Sequence, residues 1–148
     1  VSRFGITGYI VNGKKKNSIL YAYNNKSIGT RFIAKKTTLR ARKRWIGFSS
    51  KTKGDIVVDM GAKKAITKKN TSLLSSGIKN VAGTFRAGDI VAIRCENNKT
   101  IFAKGIVNYP SGDLLKIIGK KSSEIKSVLG YITFDEVIHK DNLVIHSK

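Results

Sequence analysis

The chain has 148 residues, 29 Lys and Arg against nine Asp and Glu, a formal charge of +20, and 41% hydrophobic residues. That is the size of one ordinary domain, or of one domain plus a fragment, with enough apolar residues for a packed core. Fourteen glycines and one proline exclude collagen-like and proline-rich chains, the single cysteine excludes an internal disulfide, and no apolar run approaches the roughly 20 residues of a membrane helix. The opening Val1-Ser2-Arg3-Phe4-Gly5 has no signal-peptide shape, so a cytoplasmic protein with no membrane partner is expected.

Residues 1–36 read as one unit. Ile6–Val11 is an apolar strand ended by the turn pair Asn12-Gly13, Asn17–Asn25 is a short helix, and Gly29–Ile33 is a second strand. Two strands and one short helix cannot bury a core alone, so this unit packs on something else or ends a larger domain.

Residues 37–53 form a basic connector. Thr37 or Thr38 is a helix N-cap, and Leu39, Trp45, Ile46 and Phe48 supply apolar contacts. Arg40, Arg42, Lys43 and Arg44 make the most basic cluster of the chain. It reads as a phosphate-binding strip, as the solvated face of a linker helix, or as a face that meets an acidic patch. Residues 1–54 hold 14 Lys and Arg and no acid, while residues 55–148 hold 15 and all nine acids. Such a field attracts polyanions, RNA first among them, although a lysine- and asparagine-rich proteome produces the same excess without a ligand.

Residues 54–109 hold most of the strands. Ile56-Val57-Val58 is an apolar run, and Asp59 suits the N-cap of a helix over Met60–Lys68. Leu73-Leu74 and Ile78–Val81 flank a Ser75-Ser76-Gly77 turn, and Gly83 and Gly88 punctuate the next. Ile90–Cys95 and Ile101–Val107 read as a hairpin joined by Glu96–Lys99. Cys95 sits in an alternating run and reads as a core thiol. Beyond residue 110, Ser111 caps a helix ending at Gly119. Ser122 or Ser123 caps another ending at Gly130. Val137-Ile138 and Leu143–Ile145 are late strands. Short strands with little helix between them predict a mixed five- to six-stranded pseudo-barrel over about residues 54–145.

Catalytic patterns are missing from these residues. There is no GxxxxGK[ST], no GxGxxG and no Gly-x-Ser-x-Gly. Gly61-Ala62-Lys63-Lys64 offers one glycine at a helix start, a weak anion site. His139 and His146 with one distant cysteine make no zinc pattern, and the adjacent Asp135 and Glu136 point opposite ways in an extended segment. The residues alone describe a binding or regulatory module.

Several segments in order resemble the PUA domain, in the version that ends the glutamate 5-kinase family. They are Arg42–Ile46, Val58-Asp59 with Gly61-Ala62 and Ala65, Ser72–Leu74, Gly77-Ile78, Gly83–Phe85, Gly88–Val91, Gly105–Tyr109, Ser122–Ile125 with Gly130-Tyr131, and Glu136–Val144. Gly8–Gly13 and Gly29–Phe32 resemble the tail of an amino-acid kinase domain. The resemblance implies a mainly β fold with short helices. A PUA-like mixed pseudo-barrel at 54–148 would follow a small α/β kinase remnant at 1–36 and a basic linker at 37–53. It implies a parent enzyme that phosphorylates the side-chain carboxylate of glutamate with ATP and Mg²⁺ at the start of proline biosynthesis. The nucleotide- and phosphate-binding residues would lie upstream, so no catalytic, cofactor or metal residue is expected here and the chain alone should be inactive. Expected partners are the missing kinase domain, a homo-oligomer and RNA. By analogy with the general PUA mode, an RNA surface would comprise Gly61, Ala62, Lys63, Lys64, the turn from Leu74 to Gly77 and a late strand near Val144. The leading expectation is a regulatory and interaction module, the alternative an RNA-binding one.

Overall fold

The computed structural model describes residues 7–24, 28–33, 41–48 and 51–146, the side chains of Ala41, Asn98 and Lys99 excepted. The N-cap expectation at Thr37 or Thr38, and with it Leu39 and Arg40, lies outside the described residues. The chain divides into two compact units, Val1–Ala41 and Arg42–Lys148.

In the first unit, β1 (Gly8–Ile10) pairs antiparallel with β2 (Thr30–Phe32), and α1 (Ser18–Tyr23) lies between them in sequence. Gly29 turns the chain into β2 at φ 66°, where a Cβ would collide with the Ile10 carbonyl oxygen. That combination of positive φ and backbone contact admits only glycine. Ser18 is the one buried residue among those described in this unit, while Ile19, Tyr23 and Ile33 are more than two-thirds exposed.

The second unit is a mixed five-stranded sheet in the order β4-β3-β5-β6-β7, not a closed barrel. Its strands are β3 (Gly54–Val58), β4 (Ile78–Gly83), β5 (Ile90–Cys95), β6 (Asn98–Ile106) and β7 (Leu143–Ile145). β3 and β5 run parallel, and the other neighbours are antiparallel. The main core lies on one face. Ile56, Val58, Val91, Ile93 and Ala103 of the sheet meet Ile66 of α3 (Met60–Lys69), Leu114 and Ile117 of α4 (Ser111–Ile117) and Ile125 of α5 (Ile125–Leu129). Alternation turns Ile90 and Val144 to the other face, where Ile46 of α2 (Ala41–Phe48) packs with Ile106. α2 therefore joins the sheet instead of standing apart as a linker.

Four local expectations change. β6 begins at Asn98, so the hairpin turn is only Glu96-Asn97, and the register skips Phe102 between Ala103 and Ile101. The extra residue is absorbed as a bulge. Val137-Ile138 forms no strand: it makes one bridge to Leu73, and Asn108 N–H takes the Val137 carbonyl at 2.8 Å. Pro110 precedes α4, and the Ser111 hydroxyl accepts from Phe85 N–H at 3.4 Å instead of capping the helix. Before α5, Glu124 Oε2 accepts from Lys121 N–H at 2.8 Å, while Ser122 Oγ donates to the Asp135 carbonyl. Tertiary demand on these hydroxyls outweighed the capping preference. No described helix is long and apolar enough to cross a membrane.

Candidate functional site

α3 starts where β3 ends. Asp59 is extended, with φ −74° and ψ 172°, and its Oδ1 accepts from Ala62 N–H at 2.7 Å. A carboxylate there satisfies one of the free first-turn donors and sits at the positive end of the helix dipole. The same contact means that the α3 N-terminus already holds an anion of its own chain, which blunts Gly61–Lys64 as a phosphate cradle. The turn Ser75–Gly77 packs against this helix start: Asp59 N–H donates to the Gly77 carbonyl at 3.0 Å. A Cβ on Gly77 would approach Ala62 Cβ to 2.6 Å, so glycine at 77 sets the close approach.

Between helix and turn lies a cleft of about 380 Å³, lined among others by Asp59, Gly61, Ala62, Ser72, Leu74 and Gly77. Four of the residues singled out from the sequence, Gly61, Ala62, Leu74 and Gly77, thus come together. Lys63 and Lys64 do not line it. Lys63 extends over the Phe102 ring at 5.5 Å, and Lys64 is exposed. Arg42, Lys43 and Arg44 lie on α2, which packs on the opposite face of the sheet from α3. Arg40 is outside the described residues. Val144 is buried under α2. The cleft offers Ala62, Ala65, Leu73 and Leu74 as apolar wall and Ser72 and Ser76 as hydrogen-bonding groups. Its one ionisable group, Asp59, is engaged as a cap. That set can hold a flat apolar or amide-bearing group and is poorly equipped for proton or phosphoryl transfer.

Ser76 comes in with the Leu74–Gly77 turn, whereas Ser72 was missed as a lining residue because only the return of the chain over α3 aligns it. Tyr109 was also missed. It is fully buried, and its hydroxyl bonds the Phe134 carbonyl while accepting from Thr133 N–H at 3.3 Å and Phe134 N–H at 3.1 Å. Above it, Tyr131 donates to Asp113 Oδ2 at 2.5 Å, and that bond pushes the Tyr131 phenol up to about 12. Together they fix the irregular segment 131–134. Elsewhere, Cys95 is buried with its thiol 3.2 Å from Met60 Sδ, and His139 Nδ1 accepts from Asp141 N–H at 3.2 Å. Burial, and then the charge of Lys104, hold His146 below the usual histidine range. Among the described residues no three His, Cys, Asp or Glu side chains converge on a metal site.

The family model of the PUA domain matches residues 54–129. The chain is similar to glutamate 5-kinases. It is 44% identical over 141 residues to that of Thermoanaerobacter sp. (strain X514), covering 95% of this chain and 38% of the relative. It is 42% identical over 142 residues to that of Syntrophotalea carbinolica, covering 96% and 38%. The chain thus spans under two-fifths of the length of these relatives and matches their C-terminal part. A crystal structure of a PUA domain from Aeropyrum pernix K1, solved as a tartrate complex, is 33% identical over 45% of this chain and 35% of its own, with a TM-score of 0.43. At that score the assignment rests on the sequence matches. The chain belongs to the PUA domain family.

Proposed function

We propose that this chain is the C-terminal region of a glutamate 5-kinase, in which the second unit is a non-catalytic regulatory and interaction module. The similarity over nearly the whole chain supports the reading. The observation that carries it is the first unit: Ile10, Ile19, Leu20, Tyr23 and Phe32 surround a two-stranded sheet and a six-residue helix, yet all five are exposed. Such a piece is the edge of something larger. In this reading the occupant is a preceding kinase domain, which supplies the ATP and Mg²⁺ chemistry of an early step of proline biosynthesis in the cytoplasm. The sequence has no GxxxxGK[ST] or GxGxxG, and among the described residues no three His, Cys, Asp or Glu side chains converge, so in this reading those groups are assigned to the preceding domain.

The test is ADP release dependent on both ATP and glutamate. The chain alone should give none above a denatured control. Joined behind the N-terminal part of the Thermoanaerobacter enzyme it should restore turnover. Activity of the isolated chain, or a joined protein that folds but responds no differently from the truncated relative, would overturn the proposal. A second reading, an RNA-binding module, is favoured by the cleft that gathers Gly61, Ala62, Leu74 and Gly77. Loss of RNA binding on Gly77→Val, with Arg42 and Lys43 intact, would support it.

A further inference from the structure

We propose that Asn12, in the turn after β1, is a self-modification site: the Gly13 backbone nitrogen closes on the Asn12 side chain, ammonia leaves, and water opens the ring to aspartate or isoaspartate at position 12. The chemistry is independent of the kinase reading. Asn12-Gly13 is the one Asn-Gly pair of the sequence. It lies between β1 and α1, with Asn12, Gly13 and Lys14 all exposed. Lys14 N–H donates to Asn12 Oδ1 at 2.9 Å, and Lys15 N–H donates to the Asn12 carbonyl at 3.1 Å. The first bond closes a turn through the side chain, as asparagine does when it bonds the backbone two residues on. That closure folds the carboxamide over the following peptide and carries Cγ towards the Gly13 nitrogen. A Cβ on Gly13 would meet nothing within 4 Å, so nothing outside the turn crowds the approach.

The step balances with water alone. Hydroxide takes the Gly13 amide proton, the nitrogen bonds Cγ, and the carbonyl electron pair moves onto Oδ1. That oxygen already accepts from Lys14 N–H, so a donor sits where the negative charge develops. The pair returns, the Cγ–Nδ2 bond breaks, and the nitrogen leaves as ammonia with a proton from water. Water then adds to either carbonyl of the five-membered ring. The exposed Lys14, Lys15 and Lys16 favour each anionic intermediate. Other asparagines lack this arrangement. Asn108 donates Nδ2 to the Glu136 carbonyl at 2.8 Å and precedes the fully buried Tyr109. Asn80 lies within β4 ahead of the β-branched, buried Val81. The product brings the first carboxylate into the acid-free residues 1–54, and its isoaspartate form adds one carbon to the main chain of the turn.

The experiment incubates the full chain in mildly alkaline buffer and follows each asparagine by peptide mass spectrometry. An isoaspartyl methyltransferase with labelled S-adenosylmethionine is the probe for the rearranged product, and a synthetic peptide of residues 7–18 is the comparator without the fold. The expected result is a mass gain confined to Asn12, isoaspartate as the larger product, and a rate in the chain at least equal to that in the peptide. Lys14→Pro removes the amide donor and should slow the reaction roughly tenfold, less than the loss of a buried oxyanion donor because this one is open to water. Gly13→Val should abolish the product over the same time, since a β-branched side chain crowds the attacking nitrogen. Circular dichroism of each variant checks that the sheet is retained. An Asn12 that stays unmodified, a chain far slower than the peptide, a Lys14→Pro variant that reacts like the parent, or modification shared equally with Asn80 and Asn108 would each overturn the site.

Discussion

The two units spend their apolar residues in opposite ways. In the second, Ile56, Val58, Leu114, Ile117 and Ile125 have no exposed surface, and three helices and five strands share them. In the first, an equally apolar set lies open and the described residues bury a single serine. Local pattern is the same in both: alternating strands, a glycine turn, a short helix. The difference is that a strand pair and six helical residues cannot offset the entropy of ordering them without a covering layer. Burial of a second layer, not secondary-structure propensity, separates a domain from a fragment of one.

The sharpest contrast is in truncations of matched residues. Leu114→Ala should cost about 2–5 kcal/mol in denaturant unfolding, because it opens a cavity in a closed core. Leu20→Ala, in the open unit, should stay within about 0.5 kcal/mol in the isolated chain. Equal losses would break the comparison. Next, Tyr109→Phe should cost about 1–3 kcal/mol, since it strands the Thr133 and Phe134 amides that its hydroxyl serves. Asp59→Ala removes the α3 cap and should cost about 1 kcal/mol with an unchanged denaturant slope. The smallest effect is electrostatic. The Tyr131 phenol is raised from 10.0 to about 12, first by its bond to Asp113. A raised pKa means that this contribution is full below the unfolded value and is lost as pH climbs from about 10 towards 12. Tyr131 is 42% exposed, so the change should be slight, and Tyr131→Phe should remove it from the alkaline arm of a stability-against-pH curve.

Much of the second unit was legible because its signals are local. Asp59 as a cap, the glycines flanking the Thr84–Ala87 turn, the Ser75–Gly77 turn and the β5–β6 hairpin each depend on neighbours within a few residues. What was not legible depends on distant chain. Ser111 and Ser122 look like caps until Phe85 and Asp135 claim their hydroxyls. Val137-Ile138 looks like a strand until Leu73 and Asn108 take its backbone groups separately. Four cleft residues were named from a family pattern, but Lys63 beside them reaches instead to the ring of Phe102 on the bulge of β6, and Lys64 does not line the cleft. The seat of α2 on the outer face was legible only as apolar contacts at Trp45, Ile46 and Phe48, because the partners of Ile46 lie more than forty positions downstream.

Hydrogen exchange of the isolated chain, followed peptide by peptide, tests most directly the claim that the second unit stands alone and the first does not. Amides of β3, β5 and β6 should exchange only through global unfolding, while those of residues 8–24 and 28–33 should exchange orders of magnitude faster. Addition of the N-terminal part of a glutamate 5-kinase should slow the second set and leave the first unchanged. Protection of residues 8–24 and 28–33 equal to that of the sheet in the isolated chain would contradict the account.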